Sequence, residues 1–195
     1  MSLYQLVLKY RASTAEDFMN EIRPLFSTTI LKEIEKLTRD QSLSNLWHEL
    51  RFARLTASKA YEIMKCKTKD GALVSLIMGG KVPDTPAIKR GRLLEPQVLE
   101  KVKKTLNKKI DKCGLFICKE YSMIAASPDG IGEQFLVEIK CPLSQKTKNN
   151  YILKGKASDK CNAQMQLQMY ECAIKKCYFC VADSNFEINN KVEII

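Results

Sequence analysis

The sequence has no apolar run approaching the ~18 residues that a membrane-crossing helix needs, which argues against a helical membrane protein. Its opening, MSLYQLVLKYR, lacks the basic leader, apolar stretch and small-residue cleavage site of a secretory signal. An intracellular protein is the expectation, in cytoplasm or nucleus, wherever its substrate is. Histidine occurs once, as His48, and Cys177 to Cys180 is a CxxC pair with no second to match it. The eight cysteines therefore read as reduced thiols packed as small hydrophobes. A metal or iron–sulfur cluster on Cys172, Cys177 and Cys180 with a distant fourth ligand is the rival, which iron and zinc analysis separates. No repeat, low-complexity tract or Gly/Ser/Pro-rich linker divides the chain, so one domain is expected over 1–195. Within it, 1–45 reads as a helical extension and 46–195 as the core.

What is present is a globular composition, 195 residues with 45% hydrophobic side chains, and a formal charge of +10. That surplus favours a polyanionic partner, nucleic acid first and an anionic membrane surface second. Charge alone also fits a Lys-rich solvated face, since lysine, the poorer reader of bases and phosphates, supplies most of it.

Periodicity predicts helix over 14–37, with Thr14 as N-cap and Pro24 as a break. Further helices are predicted over 44–52 and after Thr56 or Ser58. Residues 79–86 read as a loop. Pro96 suits the first turn of a helix whose Val98, Val102 and Leu106 form one stripe, with Lys101, Lys104 and Lys108 opposite. Short β-prone runs follow over 114–119, 121–126 and 135–141, then a helix from Ser158 to about Lys175. Residues 177–182 and 186–195, the latter broken by Asn189-Asn190, read as closing strands. The pattern is α/β, or α+β mixed.

The chemistry concentrates in Ser127-Pro128-Asp129-Gly130 and Glu138-Ile139-Lys140-Cys141-Pro142. Residues two apart in a strand share a face, so Glu138 and Lys140 project together. If the flanking strands form a hairpin, Asp129 at its turn-side end approaches Glu138. Two hard carboxylates with the Ile139 carbonyl suit Mg²⁺, with Mn²⁺ able to substitute. Lys140 beside such a cation would orient a water, its pKa falling if the site is desolvated. These are the parts of metal-assisted phosphodiester hydrolysis. Alone, the same residues fit an edge-strand ion pair and an ordinary turn.

Five blocks in order lift the pattern above chance: Trp47-His48-x-x-Arg51 with Leu55-Thr56-Ala57-Ser58; Gly91-x-x-x-Glu95; the two stretches above; and Ala163-Gln164-x-Gln166. From Trp47 onward the sequence resembles the phage λ-exonuclease and YqaJ-like viral recombinase nucleases of the PD-(D/E)xK superfamily. The resemblance implies a restriction-endonuclease-like core, a central mixed sheet flanked by helices. It implies metal ligation by Asp129, Glu138, Glu95 and the Ile139 carbonyl, with Lys140 as catalytic lysine and Gln166 completing the active site. Arg51, Ser58 and Ser127 match residues that grip a 5′-terminal phosphate. Read alone, Thr56 or Ser58 is an N-cap, Arg51 a surface residue and Glu95 a favourable charge near a helix start. Gln166 has competitors in Gln164 and Gln168, which lie one turn apart on a different face.

One departure stands out: Lys146 occupies the position of an arginine phosphate clamp, keeping charge but losing bidentate geometry. The implied activity is Mg²⁺-dependent hydrolysis of double-stranded DNA, 5′→3′ from an end, in recombination. Candidate partners are a single-strand annealing protein and further copies of the chain. The alternatives are an endonuclease of a mobile element, a branched-DNA nuclease of the same fold, and a non-catalytic DNA-binding or assembly module.

Overall fold

Hydroxyl side chains start three of the first helices. Thr14, Ser27 and Ser44 accept hydrogen bonds from the backbone N–H groups of Asp17, Ile30 and Trp47 at 3.1, 3.4 and 3.3 Å, satisfying donors that a helix start leaves orphaned. The structure, a computed structural model, describes residues 2–80 and 83–195. Lys81 and Val82, part of the loop expected over 79–86, lie outside the described residues. Two compact units divide the chain: 1–81 with 113–127, and 82–112 with 128–195.

The first unit carries α1 (Leu3–Lys9), α2 (Ala15–Ile22), α3 (Thr28–Leu37), α4 (Asn45–Arg51), β1 (Leu55–Thr56), α5 (Ala60–Lys65), α6 (Ala72–Ile77), β2 (Phe116–Ile117) and β3 (Ile124–Ala126). Pro24 falls in a 3₁₀ turn, Arg23–Leu25, between α2 and α3, as its missing N–H and fixed φ dictate. Apolar faces of α1, α2, α3 and α4 close on Leu115, Ile117 and Ala125, with Ile22 and Phe26 fully buried. β3 is central in a three-stranded sheet, parallel to β1 and antiparallel to β2. The Thr38 hydroxyl joins α3 to this sheet: it donates to the Ile34 carbonyl at 2.7 Å and accepts the Leu115 N–H at 2.8 Å. A Cβ at Gly114 would lie 2.0 Å from the Glu35 carbonyl oxygen, so only glycine permits this approach. Arg54, also buried, donates to the carbonyls of Ser122 and Leu50.

The second unit carries α7 (Pro86–Leu106), β4 (Gly130–Ile131), β5 (Leu136–Lys140), α8 (Gln145–Lys148), β6 (Ile152–Leu153), β7 (Lys156–Ala157), α9 (Asp159–Glu171), β8 (Cys177–Ala182), α10 (Phe186–Asn189) and β9 (Val192–Ile194). Its main sheet runs β4-β5-β8-β9, with β5 parallel to β8 and its other pairs antiparallel. One face of β5, through Val137 and Ile139, packs with Leu94, Val98, Leu99 and Val102 of α7. Phe179 and Val181 of β8 pack with Cys161 and Met165 of α9.

Several boundaries differ from expectation. Pro96 does not start a helix but sits inside α7, whose first turn is instead Pro86 capped by Thr85. Asn190 at φ 50° ends a short helix over 186–189, where strand was expected. The hairpin turn follows Ile131, and Gly130 belongs to β4, so Asp129 stands at the open end of the β4–β5 hairpin, not its turn side. Among the described residues no helix is long and apolar enough to cross a membrane.

Candidate active site

Alternation along β5 turns Val137 and Ile139 into the α7 core and sends Glu138 and Lys140 to the other face. There the Lys140 ammonium donates to Glu138 Oε1 and, at 3.2 Å, to Gln164 Oε1. The Gln164 amide donates in turn to Glu138 Oε1 at 2.6 Å, closing a three-membered ring of hydrogen bonds. Gln168, one helical turn along α9, donates to Glu138 Oε2 at 2.7 Å. The Glu138 side chain is only 2% exposed and Lys140 22%, so the carboxylate is held by these donors largely out of bulk water. At the hairpin's open end, Asp129 Oδ2 accepts the Ile139 N–H at 2.5 Å. Asp129 is itself held by its own N–H to the Val137 carbonyl at 3.0 Å.

Electrostatics tie Glu95 of α7 to this group. Desolvation, then the Glu138 charge, raises the Glu95 carboxyl above its ordinary range. Asp129 is raised well above its own range by desolvation and by the Glu138 and Glu95 charges, which Lys140 and the Ile139 N–H only partly offset. Burial works against the Lys140 ammonium, but Glu138 and Asp129 outweigh it and hold its pKa above the ordinary lysine value. The fall expected for Lys140 is thus reversed while the carboxylates face it alone. Three carboxylates against one ammonium leave a surplus of negative charge. Their hard oxygens are the donor type that fits a divalent cation such as Mg²⁺. Among the described residues no three Asp, Glu, Cys or His side chains already converge as a metal-binding group.

Gln166 is not brought to this group. Its side chain is exposed beside Met169, Tyr170 and Lys175, whereas Gln164 and Gln168 face Glu138. Consecutive residues turn by about 100° on a helix, so Gln166 points roughly 200° away from Gln164. Lys146 is exposed on α8. Sequence reasoning also missed Arg90, which donates to the carbonyls of Pro142 at 3.1 Å and Ser184 at 2.8 Å and pairs with Glu187. It fastens the chain leaving β5 to the chain leaving β8. Its place just before Gly91 and the acidic Glu95 was the available signal.

In the first unit, the Arg51 guanidinium lies 4.0 Å over the Trp47 ring, and the Trp47 indole N–H donates to Ser127 Oγ at 2.9 Å. No carboxylate among the described residues pairs with Arg51. Burial lowers its pKa to about 10, leaving it charged at neutral pH. Ser58 is exposed in a 3₁₀ turn before α5, its hydroxyl 3.2 Å from Thr56 Oγ1. Trp47 thus positions two of the residues expected to hold phosphate.

The cysteines are free thiols. Cys177 and Cys180 point to opposite faces of β8, into different clusters, as a three-residue offset in a strand requires. Burial raises Cys141 and Cys180 to about 12, favouring the thiol.

Residues 46–173 match the model of the YqaJ-like viral recombinase domain. No curated protein matches the chain. Among solved structures, an alkaline exonuclease from Laribacter hongkongensis is similar at 25% identity and TM-score 0.64, over 78% of this chain and 80% of that one. A structure of that enzyme in complex with dAMP is similar at 25% identity and TM-score 0.65, with the same coverage. A phage-related exonuclease from Haemophilus somnus 129PT shares the fold at 14% identity and TM-score 0.51, over 76% and 85% of the two chains. The mixed α/β architecture is the restriction-endonuclease-like fold. With about two thirds of its length matched, the chain belongs to the YqaJ-like viral recombinase family.

Proposed function

We propose that the protein is a Mg²⁺-dependent deoxyribonuclease that degrades double-stranded DNA from a 5′ end during recombination. The observation that carries the reading is the β5 group: one ammonium shared by Glu138 and Gln164, beside an Asp129 carboxylate anchored on the same strand. Asp129, Glu138, Glu95 and the Ile139 carbonyl would hold the cation. When bound, a hard divalent cation supplies Lewis acidity to a phosphodiester and makes water a better nucleophile.

The remaining work falls to the chain's own groups. Lys140, kept protonated by its carboxylate neighbours, offers a fixed positive charge to a phosphate oxygen or to the attacking water. Gln164 orients that ammonium. Arg51, stacked on Trp47 and paired with no carboxylate among the described residues, offers a planar fork to a terminal phosphate, with the Ser58 and Ser127 hydroxyls as further donors. Lys146 adds a point charge. Likeness to an exonuclease crystallised with dAMP supports DNA as the polymer and a nucleoside monophosphate as the product.

The test uses end-labelled linear duplexes with 5′-phosphate or 5′-hydroxyl ends and a closed circle, each with Mg²⁺ or EDTA. The reading expects mononucleotides from the 5′-phosphorylated linear DNA, slower attack on the hydroxyl end, an intact circle, and nothing in EDTA. Cleavage of the circle would assign the fold to an endonuclease instead.

A further inference from the structure

We infer that Gln168 is a positioning residue that holds the plane of the Glu138 carboxylate and so the direction of the acceptor position it leaves open to a cation. The inference rests on the nuclease reading and adds to it a residue that lies outside the five sequence blocks.

Each carboxylate oxygen has about two lone-pair acceptor positions. Glu138 Oε1 accepts from both Lys140 and Gln164, which fills it. Oε2 accepts from Gln168, and among the described residues from no other group. The count leaves one acceptor position on the Glu138 carboxylate, and it belongs to Oε2. Rotation about the terminal torsion of a glutamate is soft, so without a donor at Oε2 the plane of the carboxylate turns more freely. That freedom would loosen its bonds to Lys140 and Gln164 and blur the direction of the open acceptor position.

Gln168 is fully buried, as is Glu138 to within 2%. Burying an amide is unfavourable unless its hydrogen bonds are made, and an apolar side chain would fill the same space without that cost. That buried amide spends a donor on Glu138 Oε2 at 2.7 Å. Gln168 touches no reacting atom in this arrangement and acts through Glu138. Donors behind a metal ligand typically change metal affinity by about 10–100-fold.

The experiment measures Mn²⁺ binding to the full chain without DNA, by electron paramagnetic resonance of free Mn²⁺, for wild type and Gln168→Met. The Mn²⁺ dependence of DNA degradation and DNA affinity in EDTA are measured alongside. The expected result is Mn²⁺ binding weakened by about 10–100-fold, a degradation rate that recovers toward wild type at saturating Mn²⁺, and unchanged DNA affinity in EDTA. A folded Gln168→Met chain that binds Mn²⁺ as wild type does overturns the inference and leaves the nuclease reading standing. So does a loss of rate that no Mn²⁺ concentration restores. A wild-type chain that binds no Mn²⁺ overturns the metal-dependent reading and this inference with it. If Gln168→Met fails to fold, Gln168→Asn, which keeps an amide one methylene short of Oε2, is measured in the same way. Failure of both to fold assigns Gln168 to the core alone.

Discussion

Lys140 illustrates how strongly single residues here depend on their neighbours. Desolvation alone would push its proton off, yet two carboxylates keep the ammonium charged. On the proposed reading its contribution is then a fixed positive charge, and not the accepting of a proton. Lys140→Ala is expected to lower turnover by roughly 10²–10⁴-fold while DNA binding in EDTA changes little, as single-turnover digestion and fluorescence anisotropy would show. Arg51 calls for a different test, because its value lies in shape. Arg51→Lys keeps the charge but loses the planar fork and the stacking on Trp47. The preference for a 5′-phosphate over a 5′-hydroxyl end should fall by about tenfold or more, the worth of a charge-assisted hydrogen bond. An unchanged preference would remove Arg51 from the phosphate site. Glu138 and Lys140 were legible in the sequence because a period of two leaves no choice of face. The glutamines were not: Gln164, Gln166 and Gln168 alternate along α9, and its apolar residues do not mark one side strongly enough to say which of them points inward.

Elements were legible where local chemistry is decisive. Pro24 breaks the first helical stretch, Thr14 caps it, and the run Cys177–Ala182 is strand from end to end. The two-residue strand β1 carries too little pattern to be seen, since long-range pairing, not propensity, creates it. Pro96 misled for a physical reason. Proline suits a helix's first turn, and only tertiary packing by Leu94, Val98, Leu99 and Val102 carries α7 through it. Having no N–H, Pro96 leaves the Arg92 carbonyl without its helical partner, one residue after Glu95. An interior proline costs a helix about 3 kcal/mol. Pro96→Ala is therefore expected to raise the thermal midpoint by several degrees, at roughly 2–4 °C per kcal/mol for a chain of this size. If the broken ladder also sets the Glu95 carboxylate, turnover falls as stability rises. Calorimetry and digestion rates on the same preparation check both halves, and a midpoint that drops would show that Pro96 fits α7 without strain.

At the scale of the whole molecule, a formal charge of +10 coexists with a local surplus of carboxylates around Lys140. On the proposed reading the two signs have separable jobs, attraction of a polyanion and recruitment of the cation that helps cleave it, and salt distinguishes them. Lysine contacts to phosphate displace counterions, so the logarithm of the affinity for duplex DNA in EDTA should fall linearly with the logarithm of salt concentration. Each phosphate contact contributes about 0.9 to the slope. Lys146 is exposed on α8 and presents a point charge without a fork. Lys146→Ala should lower the slope by about 1 and weaken binding alike on all sequences, with the metal requirement for cleavage unchanged. A slope that stays the same would mean that Lys146 is one of the solvated lysines, and that the net charge serves solubility at that position.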